Sequence, residues 1–312
     1  MMAFLVGCGE SNDKAQDQGS SSKVVKEQES ANKTAFPVTV VDGTGKEVII
    51  ESEPKTIVSL VPSNTEMTFA LGQGDKVIGV SDYCNYPEAV QSIEKVGAQD
   101  MNVEKILTLK PDLALVTPFH YQNHPDILQQ FKDAGIDVIV VGEALSFKDT
   151  YDNLRLIGKV TGSTEAEGII TDMDKRLAEV KEKAKAVKEK KRVWVEVSPA
   201  PDIYTTGKNT FMHEMLESIN AINVAGDQEG WVKLTEEEIV ALNPEVIITT
   251  YGYYVKNPAE GVLSREGWKE VPAIQSKQVF DVDNDTVTRP GPRLIDGVET
   301  LGKLIYPEIF NQ

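Results

Sequence analysis

Short apolar runs alternate with amphipathic segments along most of the chain. Two four-residue runs at 38–41 and 47–50 flank Asp-Gly-Thr-Gly and predict a β-hairpin. Continuous apolar runs are typical of strands buried on both faces, and they predict strands at 56–61, 76–80, 112–117, 138–141, 192–197, 246–250 and 278–282. Apolar residues at helical spacing predict helices at 103–109, 127–134, 211–219, 236–242 and from Pro292 to Tyr306. This alternation predicts an α/β fold with parallel sheets.

The helix after the first buried strand has its own start signal. Ser63 precedes Glu66 by three residues, ahead of an apolar segment that stops at Gly72, which predicts a capping box. Glu66 also has a second interpretation, as an exposed acid at the ligand-loop end of the first lobe, where it pairs with a basic partner surface.

An internal repeat predicts the domain organisation. Residues 103–117 match 236–250 without a gap, and both segments are interpreted as a helix, a proline and a buried strand. The period is too long for a solenoid. We therefore expect two similar α/β lobes, at 36–148 and 192–312, with a ligand cleft between them.

The segment at 149–191 predicts helical connectors between the lobes. One helix is expected at 149–160, and apolar residues spaced by three and four predict a second at 164–190. At 1.5 Å per residue the second helix is about 40 Å long, enough to lie across both lobes. A single rod of this kind predicts only modest opening and closing.

The N-terminus resembles a bacterial lipoprotein signal. An apolar run ends at Gly7-Cys8, and polar residues follow at once, so residues 1–8 are interpreted as a truncated signal ending at a lipidated Cys8. Residues 9–35 have the composition of a flexible tether. The alternative is a frayed terminus with a chance cysteine. If Cys8 is lipidated, Cys84 has no partner and no disulfide is expected.

Composition narrows the possible partners. The chain has 312 residues, a formal net charge of -17 and a pI near 4.7. Such a surface repels nucleic acid and anionic lipid, so we expect neither as a partner, and membrane contact only through a lipid anchor. No apolar run approaches the ~20 residues that cross a bilayer, which excludes a polytopic membrane protein. We expect a monomer.

The loops that follow the predicted strands are rich in aromatic residues, namely Tyr83, Tyr86, Phe119, Tyr121, Tyr204, Trp231, Tyr251, Tyr253 and Tyr254. Ligands of open α/β sheets bind at this end of the strands. An aromatic cleft favours a large, flat or partly apolar ligand. Basic residues are few in these loops, so a polyanionic ligand is a poor electrostatic match.

Catalytic and metal-binding signals are weak. His120 and His124 have the spacing of helical metal ligands, but Pro118 and Pro125 bracket them in a predicted loop, so surface histidines are favoured. His213 is interpreted as a helix-surface residue. No phosphate-binding loop, cysteine cluster or Gly-x-Ser-x-Gly elbow occurs in the sequence. We predict no catalytic residues, metal site or cofactor, and a metal-dependent or hydrolytic enzyme on a related scaffold is the alternative class.

Several segments carry a family resemblance. They are Val-Pro-Ser-Asn-Thr-Glu at 61–66, Asn-Tyr-Pro at 85–87, Met-Asn-Val-Glu at 101–104, Trp-Lys-Glu-Val-Pro-Ala at 268–273 and Arg-Pro-Gly-Pro-Arg at 289–293. Over about residues 36–310 the chain resembles the substrate-binding lipoproteins of bacterial ABC importers for cobalamin, ferric siderophores and haem. The resemblance implies two lobes on one long helix.

The resemblance also implies roles for individual residues. One glutamate per lobe docks on arginines of the permease, and the matching positions are Glu66 and Glu217. Cobalamin binders hold the corrin between aromatic residues of both lobes and contact its amides with an acid and an arginine. The positions that resemble these contacts are Tyr86, Tyr204, Trp231, Asp285 and Arg289. The chain differs from cobalamin binders at 97–100, where they carry a tryptophan.

Together these features predict an extracytoplasmic, lipid-anchored binding protein without catalytic activity. It would capture cobalamin or a related corrinoid and deliver it to an ABC permease with its ATPase subunits. The alternative is a ferric-siderophore or haem binding protein, in which Tyr251, Tyr253, Tyr254 or His120 contacts the iron.

Overall fold

The computed structural model describes residues 34–312. Cys8 and nearly all of the predicted tether lie outside these residues. The described chain is an α/β protein with two lobes, which confirms the predicted fold class. No helix within residues 34–312 is both long enough and apolar enough to span a bilayer.

The first lobe is built on a five-stranded sheet in the order β5-β4-β3-β6-β7, with all strands parallel. Its strands are β3 Ile57–Ser59, β4 Val77–Val80, β5 Glu94–Lys95, β6 Leu113–Val116 and β7 Asp137–Val140, preceded by the hairpin β1 Val38–Val41 and β2 Glu47–Ile50. Its helices are α1 Pro62–Ala70, α2 Val103–Leu109, α3 Pro118–Asn123 and α4 Pro125–Asp133, and short 3₁₀ turns lie at Gly74–Lys76 and Glu88–Ser92.

The second lobe has a four-stranded parallel sheet and a separate antiparallel ribbon. The sheet has the order β10-β8-β12-β13, from β8 Arg192–Glu196, β10 Ile222–Asn223, β12 Val246–Thr249 and β13 Val279–Asp281, and the ribbon pairs β9 Tyr204–Thr206 with β11 Trp231–Lys233. The helices of this lobe are α7 Phe211–Ser218, α8 Glu236–Leu242, α9 Pro258–Leu263, α10 Pro272–Gln275, α11 Asn284–Thr288, α12 Leu294–Ile305 and α13 Pro307–Phe310.

The internal repeat has the same geometry in both lobes. Helices α2 and α8 each end at a left-handed residue, Lys110 at φ 51° and Asn243 at φ 51°, directly before a proline. The strands that follow, β6 and β12, are buried along their whole length. A left-handed cap followed by proline ends a helix sharply, and in each lobe the chain then enters a strand in the interior of the sheet, with a neighbour on both sides.

The start of α1 differs from the prediction. Helix α1 begins at Pro62, with Val61 as its extended N-cap, and no side chain makes a cap hydrogen bond. Proline suits the first helical position because it lacks an N–H that would need a partner. The predicted capping box of Ser63 and Glu66 is therefore wrong, and Glu66 has a different partner. Helix α12 likewise begins at Leu294, beyond the predicted start at Pro292.

The connector consists of α5 Phe147–Thr161 and α6 Ala166–Ala184. Helix α6 has 19 residues and is about 28 Å long, shorter than predicted. Beyond Ala184 the chain forms tight turns, in which the N–H of Val187 donates to the carbonyl of Ala184 at 3.1 Å. Val187 is still buried, which explains why its apolar spacing resembled a continuing helix. The boundaries of the predicted domains stay predictions.

The core runs through both lobes without a break. Ile170, Met173, Leu177 and Val180 form the buried face of α6 and belong to one apolar cluster with strand residues of both sheets. Helix α6 packs against α5, α12 and α7, so it contacts elements on either side of the cleft. The lobes are therefore joined by a shared core as well as by the covalent connector.

Truncating this shared core should destabilise the whole molecule. Leu177→Ala removes a buried side chain from the middle of α6, and we expect the free energy of unfolding to fall by about 2–5 kcal/mol. Urea unfolding followed by circular dichroism measures it. The exposed substitution Glu179→Ala is the control and should change stability by about 0.5 kcal/mol or less. Two separate transitions in wild-type protein, one per lobe, would contradict a shared core.

Candidate ligand-binding site

A cavity of about 440 Å³ lies between the lobes, beside the carboxyl ends of the first-lobe strands. The first lobe contributes the start of α1 and the loops after β6 and β7. The second lobe contributes Phe211, Trp231, Thr288 and Pro290. This position is the one expected for a ligand site in an open α/β fold.

The wall of the cavity is mostly apolar or uncharged. Its aromatic residues are Phe119, Phe211 and Trp231, and its neutral polar residues include Asn64, Gln122 and Asn153. Glu143 is the single charged side chain among the described lining residues. The volume falls in the range of about 300–1,000 Å³ that is usual for small-molecule pockets. The wall thus offers aromatic surface and neutral hydrogen-bonding groups to a ligand.

Two of the predicted ligand-binding aromatics share one surface of the β9–β11 ribbon. Trp231 pairs with Thr206, and Lys233 pairs with Tyr204, so Trp231 and Tyr204 are diagonal neighbours on the same face. Their side chains are 45% and 42% exposed. Trp231 lines the cavity itself, whereas Tyr204 lies farther along the ribbon. The ribbon therefore presents two aromatic rings from the second lobe.

A second set of residues bridges the two lobes beside the cavity. Glu66 on α1 accepts hydrogen bonds from Arg293 of the second lobe, 2.9 Å from Nε to Oε1 and 2.7 Å from Nη2 to Oε2. The Glu66 side chain is only 3% exposed. Two parallel hydrogen bonds to a buried carboxylate make this the strongest type of arginine ion pair.

The predicted contacts Asp285 and Arg289 belong to the same bridge. Arg289 donates to Asp285 at 2.8 Å and to Asn85 of the first lobe at 2.9 Å, and Asn85 donates to Asp285 at 2.8 Å. Arg289 lies 3.8 Å from Glu66, and Arg293 lies 3.9 Å from Asp285. Two guanidinium groups thus face two carboxylates, and their formal charges cancel.

Tyr86 completes this bridge. The Arg293 guanidinium carbon lies 3.7 Å from the centre of the Tyr86 ring, within the range of a cation–π contact. Burial by itself lowers the pKa of Arg293, but the hydrogen bonds and charge of Glu66 outweigh it and raise that pKa. We call the six residues Glu66, Asn85, Tyr86, Asp285, Arg289 and Arg293 the clasp. The five predicted ligand contacts thus fall into two groups, the ribbon and the clasp.

Comparison with known proteins identifies the family. Residues 57–286 match the family of periplasmic binding proteins. This chain belongs to that family. The resemblance to the substrate-binding proteins of ABC importers, inferred above from sequence motifs, is confirmed.

Two relatives and one solved structure show how far the similarity extends. The chain is 47% identical to the uncharacterized ABC transporter substrate-binding lipoprotein YvrC of Bacillus subtilis (strain 168), over 99% of this chain and 95% of that protein. It is 30% identical to a vitamin B12-binding protein of Vibrio cholerae serotype O1, over 78% of this chain and 86% of that protein. The structure of a possible iron-binding (periplasmic solute-binding) protein from Staphylococcus epidermidis ATCC 12228 is 33% identical, with a TM-score of 0.73, covering 82% of this chain and all 100% of that one.

The two predicted docking glutamates of this periplasmic binding protein have different environments. The expectation that Glu66 is exposed is wrong, because its carboxylate is buried beneath Arg293. Glu217 is exposed at the end of α7, 3.5 Å from Nε2 of His213. Glu217 can therefore reach a partner surface directly, whereas Glu66 can do so only after the clasp has opened. Docking through either residue stays a prediction.

His120 lies in the interior and not on the surface. It belongs to α3 and is 3% exposed, because the segment predicted as a loop is helical. The Thr117 N–H donates to Nδ1 at 3.2 Å, so Nε2 carries the proton and donates to the carbonyl of Ala98 at 3.0 Å. Burial lowers the pKa of His120. His120 is thus a neutral, fully bonded histidine that fastens the 97–102 loop to α3.

The three tyrosines at 251–254 differ in burial. Tyr251 is 2% exposed and donates to Glu196 at 2.5 Å, and Arg265 holds that carboxylate with a further two hydrogen bonds. Burial, followed by the charge of Glu196, raises the pKa of Tyr251. This hydroxyl is therefore not available to iron. Tyr253 and Tyr254 are exposed, with ring centres 4.7 Å apart.

Cysteine and metal chemistry is limited in the described part of the chain. Cys84 is a free, buried thiol 3.2 Å from the Thr65 hydroxyl, and its burial raises its pKa. Within residues 34–312 no group of three or more His, Cys, Asp or Glu side chains is placed to hold a metal ion. His213, predicted on a helix surface, is half-buried and accepts a hydrogen bond from Asn223 at 3.2 Å.

Sequence reasoning missed the partners of the clasp. Arg293 lies in the motif Arg-Pro-Gly-Pro-Arg and comes four residues after Arg289, a spacing that could have drawn attention to it. No local pattern pointed to its pairing with Glu66, which lies 227 residues away in the chain. Asn85 and the cavity residue Asn64 carried no sequence signal beyond their place in the family motifs.

The buried state of His120 predicts a pH dependence of stability. The pKa of His120 is lower in the folded state than the ordinary histidine pKa of about 6.5. At a pH below about 6.5 the unfolded chain therefore binds more protons at this position than the folded chain does. Stability should therefore fall as the pH drops through that value. In His120→Gln this contribution is absent, so the free energy of unfolding should decline less steeply between about pH 7 and 5. Urea unfolding at several pH values measures both slopes, and equal slopes would contradict a neutral buried histidine.

Proposed function

We propose that this protein is an extracytoplasmic substrate-binding lipoprotein that captures a corrinoid, cobalamin or a close relative. It holds the ligand between its lobes and delivers it to an ABC permease with ATPase subunits. The observation that carries the proposal is the cavity between the lobes, whose described lining is aromatic and neutral apart from Glu143. The protein acts by binding and release, without catalysis.

The shape of the aromatic surface supports a flat macrocycle as the ligand. Trp231 and Tyr204 lie on one face of the ribbon, and Phe119 approaches the cavity from the first lobe. Aromatic side chains bury large areas against planar apolar groups. A corrin is larger than a cavity of 440 Å³ can enclose, so the ribbon moves outwards to admit it and the ring extends from Trp231 towards Tyr204.

Charge supports a neutral ligand over a polyanionic one. Arg289 lies between the lining residues Thr288 and Pro290, and both Arg289 and Arg293 are paired with carboxylates. The peripheral groups of a corrin are mainly neutral amides, which match side chains such as Asn64, Gln122 and Asn153. The similarity to a vitamin B12-binding protein of Vibrio cholerae supports the same ligand class.

A ferric siderophore or haem is the second candidate. Tyr253 and Tyr254 are exposed beside one another, and phenolate oxygen is a suitable ligand for ferric iron. The possible iron-binding protein of Staphylococcus epidermidis has the same fold, at 33% identity. This candidate needs Tyr253 and Tyr254 as ligand contacts, whereas the corrinoid proposal needs Trp231.

The proposal includes attachment to the membrane through a lipid. The similarity to the lipoprotein YvrC extends over 99% of this chain. We place the lipid on Cys8, with residues 9–35 as the tether between the membrane and the lobes. A lipid anchor of this kind keeps the binding protein close to its permease at the outer face of the cell membrane.

Permease docking would use one acidic residue from each lobe. Glu217 keeps this role in the proposal, and Glu66 would join it in an opened clasp. The internal repeat provides a second pair, because Glu104 and Glu237 occupy matching positions in the first turns of α2 and α8 and both are exposed. Helices α2 and α8 lead into the amino ends of the parallel strands β6 and β12, so their first turns lie towards the carboxyl ends of these strands, on the side of the cleft. In this proposal the permease contacts that side to release the ligand.

Binding of cyanocobalamin tests the ligand. Isothermal titration of wild-type protein should give micromolar or tighter binding, and Trp231→Ala should weaken it about tenfold or more because a stacking ring is lost. Tyr253→Ala is the matched control and should bind cyanocobalamin as wild type does. No binding by wild-type protein would sink the corrinoid assignment. A Soret band on titration with haemin, lost in Tyr253→Ala, would favour the second candidate.

Charge reversal tests the docking pair. Glu104→Lys combined with Glu237→Lys should abolish uptake of the ligand into cells while leaving its affinity unchanged, because both sites are exposed and outside the cavity. Glu217→Lys, assayed alone, tests the residue inferred from the family. Normal uptake in the double variant together with loss in Glu217→Lys would leave docking to Glu217 and overturn the role of the second pair.

A further inference from the structure

Two arginines lie beside the cavity, and neither offers an unpaired positive charge to a ligand. Thr288 and Pro290 line the cavity on either side of Arg289, so the clasp adjoins the ligand space. Arg289 and Arg293 are each in contact with a carboxylate at hydrogen-bond distance. Among the described lining residues no lysine or arginine occurs.

The pairing of Arg293 is fixed from three directions. Glu66 holds its guanidinium with two hydrogen bonds, and the Tyr86 ring covers one face of the group. Arg293 is also the N-cap residue of α12, whose first residues Leu294 and Ile295 belong to the shared core. The side chain therefore cannot move to a ligand without breaking both hydrogen bonds to Glu66, which would then keep only Arg289, 3.8 Å away.

The position of Glu66 is fixed by helix α1, in which it is buried. It lies on α1, and other residues of this helix, Ser63, Asn64 and Met67, line the cavity. A buried carboxylate that loses its partner arginine is strongly unfavourable. Any anionic ligand that drew Arg293 away would have to compensate for that loss.

From this geometry we propose that Glu66, together with Asp285, determines the charge selectivity of the cleft: the two carboxylates neutralise Arg289 and Arg293, and so exclude ligands that carry carboxylates. The inference rests on the proposed binding function and adds to it the class of ligand. This is a ligand whose groups next to the clasp carry no charge. Glu66 is thereby a specificity-determining residue that need not touch the ligand.

The test compares two nearly isosteric probes, cyanocobalamin and its monocarboxylic acid, in which one peripheral amide is replaced by a carboxylate. Haemin, with two carboxylates, is a third and unrelated probe. The variants are Glu66→Gln and Asp285→Asn, each of which leaves one unit of positive charge in the clasp. Glu179→Gln makes the same charge change on the exposed face of α6 and is the matched control.

Wild-type protein should bind cyanocobalamin more tightly than the monocarboxylic acid. The dissociation constant of the acid divided by that of cyanocobalamin should fall by about tenfold in each clasp variant. Glu179→Gln should keep the wild-type ratio. Circular dichroism identifies the variants that fold. If Glu66→Gln, which changes a buried residue, does not fold, the comparison is made with Asp285→Asn. An unchanged ratio in the folded clasp variants, or an equal change in Glu179→Gln, would overturn the inference.

Haemin separates this inference from the ligand assignment. If wild-type protein binds neither corrinoid, a tighter haemin complex in Asp285→Asn than in wild type, by about tenfold, would still support the neutralising role of the clasp. In that case the corrinoid proposal fails and the inference stands. Equal haemin affinity in wild type and Asp285→Asn would overturn the inference whatever the corrinoids do.

Discussion

The buried ion pair between Glu66 and Arg293 is the constraint on which the arrangement of the lobes depends. Breaking such a pair from one side costs about 3–5 kcal/mol, because a charge is left in the interior without a partner. The pair therefore holds the start of α12 close to α1 in this structure. A separate hydrogen bond from Asn85 to Asp285 fixes the loop after β4 against α11. The clasp as a whole thus holds three predicted ligand contacts, Tyr86, Asp285 and Arg289.

The shared core adds a second connection between the lobes. Helix α6 packs its apolar face against elements of both lobes, and α12 packs on α6 directly after the clasp. Arg176 of α6 reinforces this with ion pairs to Asp296 and Glu299 of α12. The lobes are therefore held together at two places, by the ion pairs of the clasp and by the packing of α6. Movement is left mainly to the ribbon and the loops that carry the aromatic residues, which is consistent with capture of a ligand by modest opening.

The sequence predicted what short-range chemistry determines. The hairpin, the repeat and helices α2 and α8 have the predicted residues, because turn residues, left-handed caps and prolines act within a few positions. The ribbon was missed because its three-residue strands are far apart in the chain and carry no periodicity of their own. The length of α6 was overestimated because Val187 keeps the apolar spacing after the helix has ended.

The site was predicted less completely, and the reason is long-range contact. Trp231, Tyr204, Tyr86, Asp285 and Arg289 were identified through a family resemblance, and in the structure they form two groups, the ribbon and the clasp, of which Trp231 lines the cavity. The environments of Glu66, His120 and Tyr251 were wrong or open, since each depends on a partner from a distant segment: Arg293, Ala98 or Glu196. Burial of a charged or polar group is decided by such partners, and a single sequence does not show them.

A crystal structure of the protein with cyanocobalamin would show whether a neutral corrinoid binds between the lobes while the clasp stays closed. We expect the corrin ring to lie against Trp231 and its amides to lie on the neutral wall of the cavity. The two hydrogen bonds between Glu66 and Arg293 should be intact. A corrin bound outside the cleft, or one whose binding separates Glu66 from Arg293, would contradict it.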